Sequence, residues 1–264
     1  LTCFHNRLND RRIGPIVDGF LLPKEPINMI RDNKWNTVPV ILGSNTNEGG
    51  LFVDVMFSPN ITNDEYYDII KSYIGPVLTP VVYGMYPPIA YGGSAGKALA
   101  ALIGDMIFTC PTQNAAVAVS LSSNAYAYLF AHTPSWVPQS AGAYHGSEIP
   151  FVYGQSDTEA QFSSAERQLS DRMQAYWGSF AYSGDPNRPT KQATEWPLYN
   201  DDQRPRIVFD TTAQLKINQK YRQKECAFWN TAYSLAGTVI NGRINSFIKN
   251  LNEAEAELAG EYLY

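Results

Sequence analysis

The run Thr37-Val38-Pro39-Val40-Ile41-Leu42-Gly43 is apolar at successive positions instead of alternating, and turn residues bound it on both sides. A strand apolar on both faces has to be covered on both faces, the condition of a parallel strand in a sheet flanked by helices. The run therefore points to an α/β chain. Directly after it, Ser44-Asn45-Thr46-Asn47-Glu48-Gly49-Gly50 places a carboxylate in the loop at the carboxyl end of that strand. Ligand crevices of open α/β sheets form at this level. On these residues alone an exposed turn glutamate is the competing reading of Glu48.

A second loop is expected at the same level. Gly142-Ala143-Tyr144-His145-Gly146-Ser147-Glu148-Ile149-Pro150-Phe151 follows the apolar run Tyr126-Ala127-Tyr128-Leu129-Phe130, and small residues bound His145. Histidine is the side chain whose ordinary pKa, about 6.5, lets it take and return a proton near neutrality. His145 is thus a candidate base, and a loop histidine without chemistry is the alternative.

The chain has 264 residues, 44% of them hydrophobic, enough for one large α/β domain. Lys and Arg number 20 against 25 Asp and Glu, a net charge of -5, and no basic run occurs. A nucleic-acid or anionic-membrane partner has no electrostatic support. No apolar stretch approaches the roughly 18 residues of a membrane span. The first residues, Leu-Thr-Cys-Phe-His, include neither an initiating Met nor the apolar core of a signal peptide, which reads as a cut end. His5, His132 and His145 are scattered without ligand spacing, so neither a metal nor another cofactor is expected.

Along the chain, residues 12–23 read as a short extended piece broken by Gly and Pro. Thr62-Asn63-Asp64-Glu65 has the form of a capping box ahead of a helix that Gly75-Pro76 ends. Residues 94–118 are Ala-rich with one interruption at Cys110-Pro111, which predicts two helical pieces. Residues 165–182 carry Leu169, Met173, Tyr176, Trp177 and Phe180 at helical spacing, a stripe that reads as core. A late strand is expected over Arg206 to Asp210, a helix over Lys224 to Ile248, and a charged amphipathic tail from Asn252 to Tyr264.

Gly92-Gly93-Ser94-Ala95-Gly96 satisfies Gly-x-Ser-x-Gly, the nucleophile-elbow pattern. An elbow needs a buried strand before it, and Pro87 and Pro88 oppose one. The acid would also have to fall between residues 95 and 144, where Asp105 is the only carboxylate and lies in an expected helix. A helix-capping role for Ser94 is the favoured reading, with a small self-contained hydrolase as the weaker alternative.

Six blocks occur in one order: Gly14-Pro15-Ile16-Val17-Asp18-Gly19; Val38 to Gly43 with Asn47-Glu48-Gly49; Asp105-Met106-Ile107-Phe108-Thr109-Cys110-Pro111; Tyr144-His145-Gly146-Ser147-Glu148; Phe180 to Asn187; and Trp196-Pro197-Leu198-Tyr199. In this order they resemble the C-terminal half of the type-B carboxylesterase, or cholinesterase-like, family, which includes fungal lipases. The resemblance runs to about Trp229. It implies the C-terminal part of an α/β-hydrolase fold, residues 1–264 being one portion of a single domain, with a mostly parallel sheet flanked by helices. By that resemblance Glu48 falls on the family's catalytic acid and His145 on its base. Cys110 and Cys226 fall on a family disulfide, and Cys3 on a cysteine whose partner lies upstream. The family's oxyanion loop and serine elbow have no counterpart before Glu48.

The resemblance implies a serine ester hydrolase acting on a carboxylic or lipid ester, with the N-terminal half of the same protein as a separate partner chain. The alternative is a non-enzymatic adhesion or storage module of the same fold. Cysteine usage and the sequon Asn60-Ile61-Thr62 are compatible with a secreted glycoprotein.

Overall fold

In a computed structural model of the chain, residues 16–58, 60–155, 161–235 and 249–250 are described. The helices are α1 (Pro26–Arg31), α2 (Gly50–Met56), α3 (Asn63–Ile74), α4 (Thr79–Met85), α5 (Ala95–Ile103), α6 (Cys110–Ser120), α7 (Ile149–Tyr153), α8 (Ser164–Ser183) and α9 (Gln223–Leu235). The strands β1 (Val40–Asn45), β2 (Ala125–Phe130), β3 (Arg206–Phe209) and β4 (Lys216–Asn218) form one sheet in the order β1-β2-β3-β4. β1, β2 and β3 run parallel, and β4 pairs antiparallel to β3. The result is the helix-flanked α/β sheet expected from the sequence. Cys3, His5 and the rest of residues 1–15, residues 236–248 of the expected last helix, and the tail from Asn252 lie outside the described residues.

Several elements follow their local signals. Thr62 Oγ1 accepts from Glu65 N at 3.2 Å while Glu65 Oε2 accepts from Thr62 N at 2.7 Å, closing the capping box of α3. α8 starts with the same device, Ser163 with Glu166, and ends at Gly184, whose φ of 74° suits glycine. Its Leu169, Met173 and Tyr176 are buried with Phe130, Phe151, Trp196 and Phe209, so the stripe is core. A second core cluster joins α2, α3, α5 and α9 through Phe52, Tyr66, Leu99 and Trp229.

Three expectations shift. The first strand begins at Val40, because Pro39 has no N–H to give a ladder, and it is only half-buried before Ser44. Among the described residues no strand pairs with its outer edge, so the burial expected on both faces is absent. Residues 19–24 form a bend rather than an extended piece, with Asp18 Oδ1 accepting from Phe20 N at 2.8 Å and Leu22 N at 3.0 Å. Between α5 and α6 the chain does not break at Cys110-Pro111; it passes through a π-helical turn, Gly104–Thr109. There the Cys110 N–H reaches back five residues to Asp105 O. The carbonyl that Pro111 would serve in this pattern, Met106 O, accepts instead from the Tyr233 hydroxyl at 2.5 Å. That bond and the Cys110–Cys226 disulfide fix α9 against the turn. Arg222 adds an ion pair to Asp105.

Among the described residues no helix is long and apolar enough to cross a membrane.

Candidate active site

The site begins as a matter of register. β1 and β2 pair from Val40↔Ala125 to Asn45↔Phe130, so the two strands end level. Beyond the ladder the two chains stay laced: Thr46 N donates to Phe130 O at 3.0 Å and Asn47 N to Ala143 O at 2.9 Å. Asn47 and Tyr144 form a further parallel bridge, and Asn47 Nδ2 donates to Ala141 O at 2.7 Å. Two loops that are separate in sequence thereby become one rigid rim. Gly49 is needed there because a Cβ would collide with the Ala100 carbonyl of α5.

On this rim Glu48 and His145 meet. Glu48 Oε2 lies 2.7 Å from His145 Nδ1, and its Oε1 accepts from the Asn45 backbone N–H at 2.6 Å. The Glu48 side chain is 7% exposed and that of His145 29%, so the carboxylate is sheltered while the imidazole reaches the surface. A carboxylate acceptor at Nδ1 fixes the neutral ring as the tautomer protonated there, with its basic lone pair on Nε2. Phe108, on the π-helical turn, and Phe52, on α2, flank the ring at centroid distances of 4.6 and 5.4 Å. The two phenyl rings stack on each other at 5.6 Å. Such π-turns shift a side chain away from the direction that regular helix gives it. Chemically, the arrangement suits a general base, an imidazole whose orientation is set by an anion on one side and aromatic packing on the other.

Sequence reasoning did not find the second layer. Asn45 Nδ2 donates to Tyr144 O at 2.7 Å and to Glu148 Oε2 at 2.6 Å. One residue therefore holds Glu48 by its backbone and Glu148 by its side chain. Burial pushes the Glu148 carboxyl above its ordinary range, against the lowering effect of the Asn45 amide. Tyr128 hydroxyl donates to Glu148 Oε1 at 3.3 Å. Glu148 also lines a cavity of about 260 Å³ with Ile41, Gly43, Tyr128, Val152 and Trp177. A side chain at Gly43 would run into the Tyr128 ring. The available signals were Asn45 three residues before Glu48 and Glu148 three after His145, but nothing local marks them as partners.

Ser94 does cap α5: its Oγ accepts from Lys97 N at 3.2 Å. A 3-10 turn, Pro88–Tyr91, precedes it where an elbow requires a strand. His132 is bound into a separate structural cluster, with Nε2 3.1 Å from Glu166 Oε1. Among the described residues no group of three or more His, Cys, Asp and Glu side chains could hold a metal ion.

Comparison with known proteins gives relatives among the esterases. An acetylcholinesterase of Leptinotarsa decemlineata is 30% identical over 82% of this chain and 37% of its own length. Carboxylesterase 5A of Canis lupus familiaris is 25% identical over 83% of this chain and 40% of its own length. The cocaine esterase of Homo sapiens is 26% identical over 84% and 42%, respectively. The chain thus spans about two fifths of the length of these relatives. A model described as "Carboxylesterase family" matches residues 6–229, which takes in all four strands and both loops of the rim, and the chain belongs to that family.

Proposed function

We propose that this chain supplies the acid and the base of a Ser-Glu-His triad in a serine ester hydrolase, and forms the C-terminal portion of a single α/β-hydrolase domain. The observation that carries the proposal is the 2.7 Å Glu48–His145 hydrogen bond at the level where both parallel strands end. His145 takes the proton of a serine hydroxyl as that oxygen attacks the ester carbonyl, then returns it to the leaving alcohol. Glu48 stays ionised, holds the tautomer and stabilises the imidazolium. On this reading the serine and the oxyanion donors come from the N-terminal half of the protein; the relatives are longer than this chain, which spans about two fifths of their length. That half docks along the edge of β1 that no described strand covers, an edge that would otherwise offer unpaired backbone groups to any other strand. The substrate class is a carboxylic or lipid ester. The buried disulfide supports a secretory location.

A fluorophosphonate probe tests the reading. The purified protein is labelled, then denatured and reduced, and every polypeptide is weighed. Label on a serine of the upstream half supports the triad, and Glu48→Gln and His145→Ala each then slow labelling by orders of magnitude. Label on Ser94 overturns it. Absence of label with the upstream half present also overturns it, and favours a non-enzymatic module of the same fold.

A further inference from the structure

The sequon that the triad leaves unused lies at an exposed corner of the fold, between α2 and α3. Asn60 is exposed, and its backbone N–H donates to Ser58 Oγ at 3.2 Å. Two residues on, Thr62 is itself the N-cap of α3, and its Oγ1 both accepts from Glu65 N and donates to Glu65 Oε2 at 2.9 Å. Cys110 and Cys226, 116 residues apart, are oxidised to a disulfide whose partners are both fully buried, the mark of a chain folded in an oxidising compartment. Such a compartment in a eukaryotic cell is where asparagine in this sequon is modified.

We propose that Asn60 carries an N-linked oligosaccharide, added before α3 closes its cap. In the transfer, the Asn60 amide nitrogen attacks the anomeric carbon of the N-acetylglucosamine that ends an oligosaccharide held on a lipid pyrophosphate. The carbon–nitrogen bond forms, the carbon–oxygen bond to the pyrophosphate breaks, and the lipid pyrophosphate departs with that electron pair. The displaced amide proton passes to a base on the transferase. Recognition of the sequon needs the Thr62 hydroxyl, which the folded chain commits to Glu65 in both directions. The order of events follows: glycan first, then the capping box. After folding, the glycan stands at a corner open to solvent and displaces none of the packing. The inference stands independently of the triad.

The experiment is mass spectrometry of the protein secreted by a eukaryotic cell, before and after peptide N-glycosidase, with Cys110–Cys226 scored in the same digest. The proposal expects the enzyme to remove one glycan from the Asn60 peptide and leave aspartate at that position. Asn60→Gln and Thr62→Val lose the glycan, while Thr62→Ser keeps it. Thr62→Val alone also lowers the stability of α3, since it alone removes the cap. An unmodified Asn60 in protein whose disulfide has formed overturns the proposal. Reduced thiols at Cys110 and Cys226 overturn it equally, by removing the compartment on which it rests.

Discussion

Asn45→Ala tests whether the rim of the site is held by a single amide. Asn45 is 2% exposed and its side chain donates two short hydrogen bonds, to Tyr144 O and Glu148 Oε2. Tyr144 O keeps a second donor, Ser147 N at 3.1 Å, so its loss is modest. Glu148 keeps the long bond from Tyr128 and is half-buried beside the cavity, where an acceptor that loses its short bond costs about 1–3 kcal/mol. With about 1 kcal/mol for the Tyr144 bond, the variant loses about 2–4 kcal/mol. Urea unfolding measures this as a lower midpoint at unchanged slope. Glu148→Gln is neutral to stabilising at pH 7, because Glu148 is held above its ordinary pKa. The unfolded state releases its proton at lower pH than the folded state does, so this group withdraws stability as pH rises past the unfolded value. In the double variant the two effects are coupled by about 1–2 kcal/mol. Strict additivity, or a loss under about 0.5 kcal/mol for Asn45→Ala, would refute the account, since both would mean that the amide does not hold Glu148.

Three further outcomes are expected. Phe108→Ala frees one side of the His145 ring; an aromatic pair worth about 1 kcal/mol corresponds to about fivefold in kcat with KM little changed, and Phe108→Leu recovers part of it in an ester-hydrolysis assay. Replacing Cys110 and Cys226 together by Ala opens a closed loop of 116 residues, and chain entropy sets the cost at about 5 kcal/mol, read from thermal or urea unfolding. Glu166 is pushed up by burial, but hydrogen bonds involving Ser163, His132 and Ser135 outweigh this and hold it down at about 2. Its stabilising contribution, about 3 kcal/mol at most, is therefore present above pH about 4.5 and lost as pH falls towards about 2; Glu166→Gln removes that dependence from an acid-unfolding curve.

What the sequence made legible was local. The apolar runs ending at Gly43 and Phe130, the Thr62 box and the stripe of residues 165–182 each act within a few residues or turns, and each stands near where the pattern put it. β4 escaped because Lys216 and Asn218 carry no strand pattern of their own; antiparallel pairing to β3 makes the strand. The π-helical turn escaped for a related reason. Pro111 does forbid a regular helix, but the chain resolves the conflict through Tyr233, which lies 127 residues from the carbonyl it satisfies. The Asn45–Glu148 bond spans 103 residues and is equally silent in any window.

The Glu48–His145 pair lies between these cases, since the side chains are 97 residues apart yet their meeting is set by counting. Asn45 faces Phe130 at the last rung, and Asn47 bridges Tyr144 two residues further along its own chain. A register slip of one residue between β1 and β2 would turn every side chain of β1 to the other face of the sheet. It would also drive the Tyr128 ring off Gly43, the position in β1 that leaves room for it. The fit of Tyr128 over Gly43 thus guards the register, and the register brings the His145 ring to the Glu48 carboxylate. On this argument Gly43→Ala, which touches neither Glu48 nor His145 by substitution, disturbs the His145–Glu48 hydrogen bond as well as stability. A Gly43→Ala protein that unfolds earlier but retains the wild-type pH profile of ester hydrolysis would separate the two and break the argument.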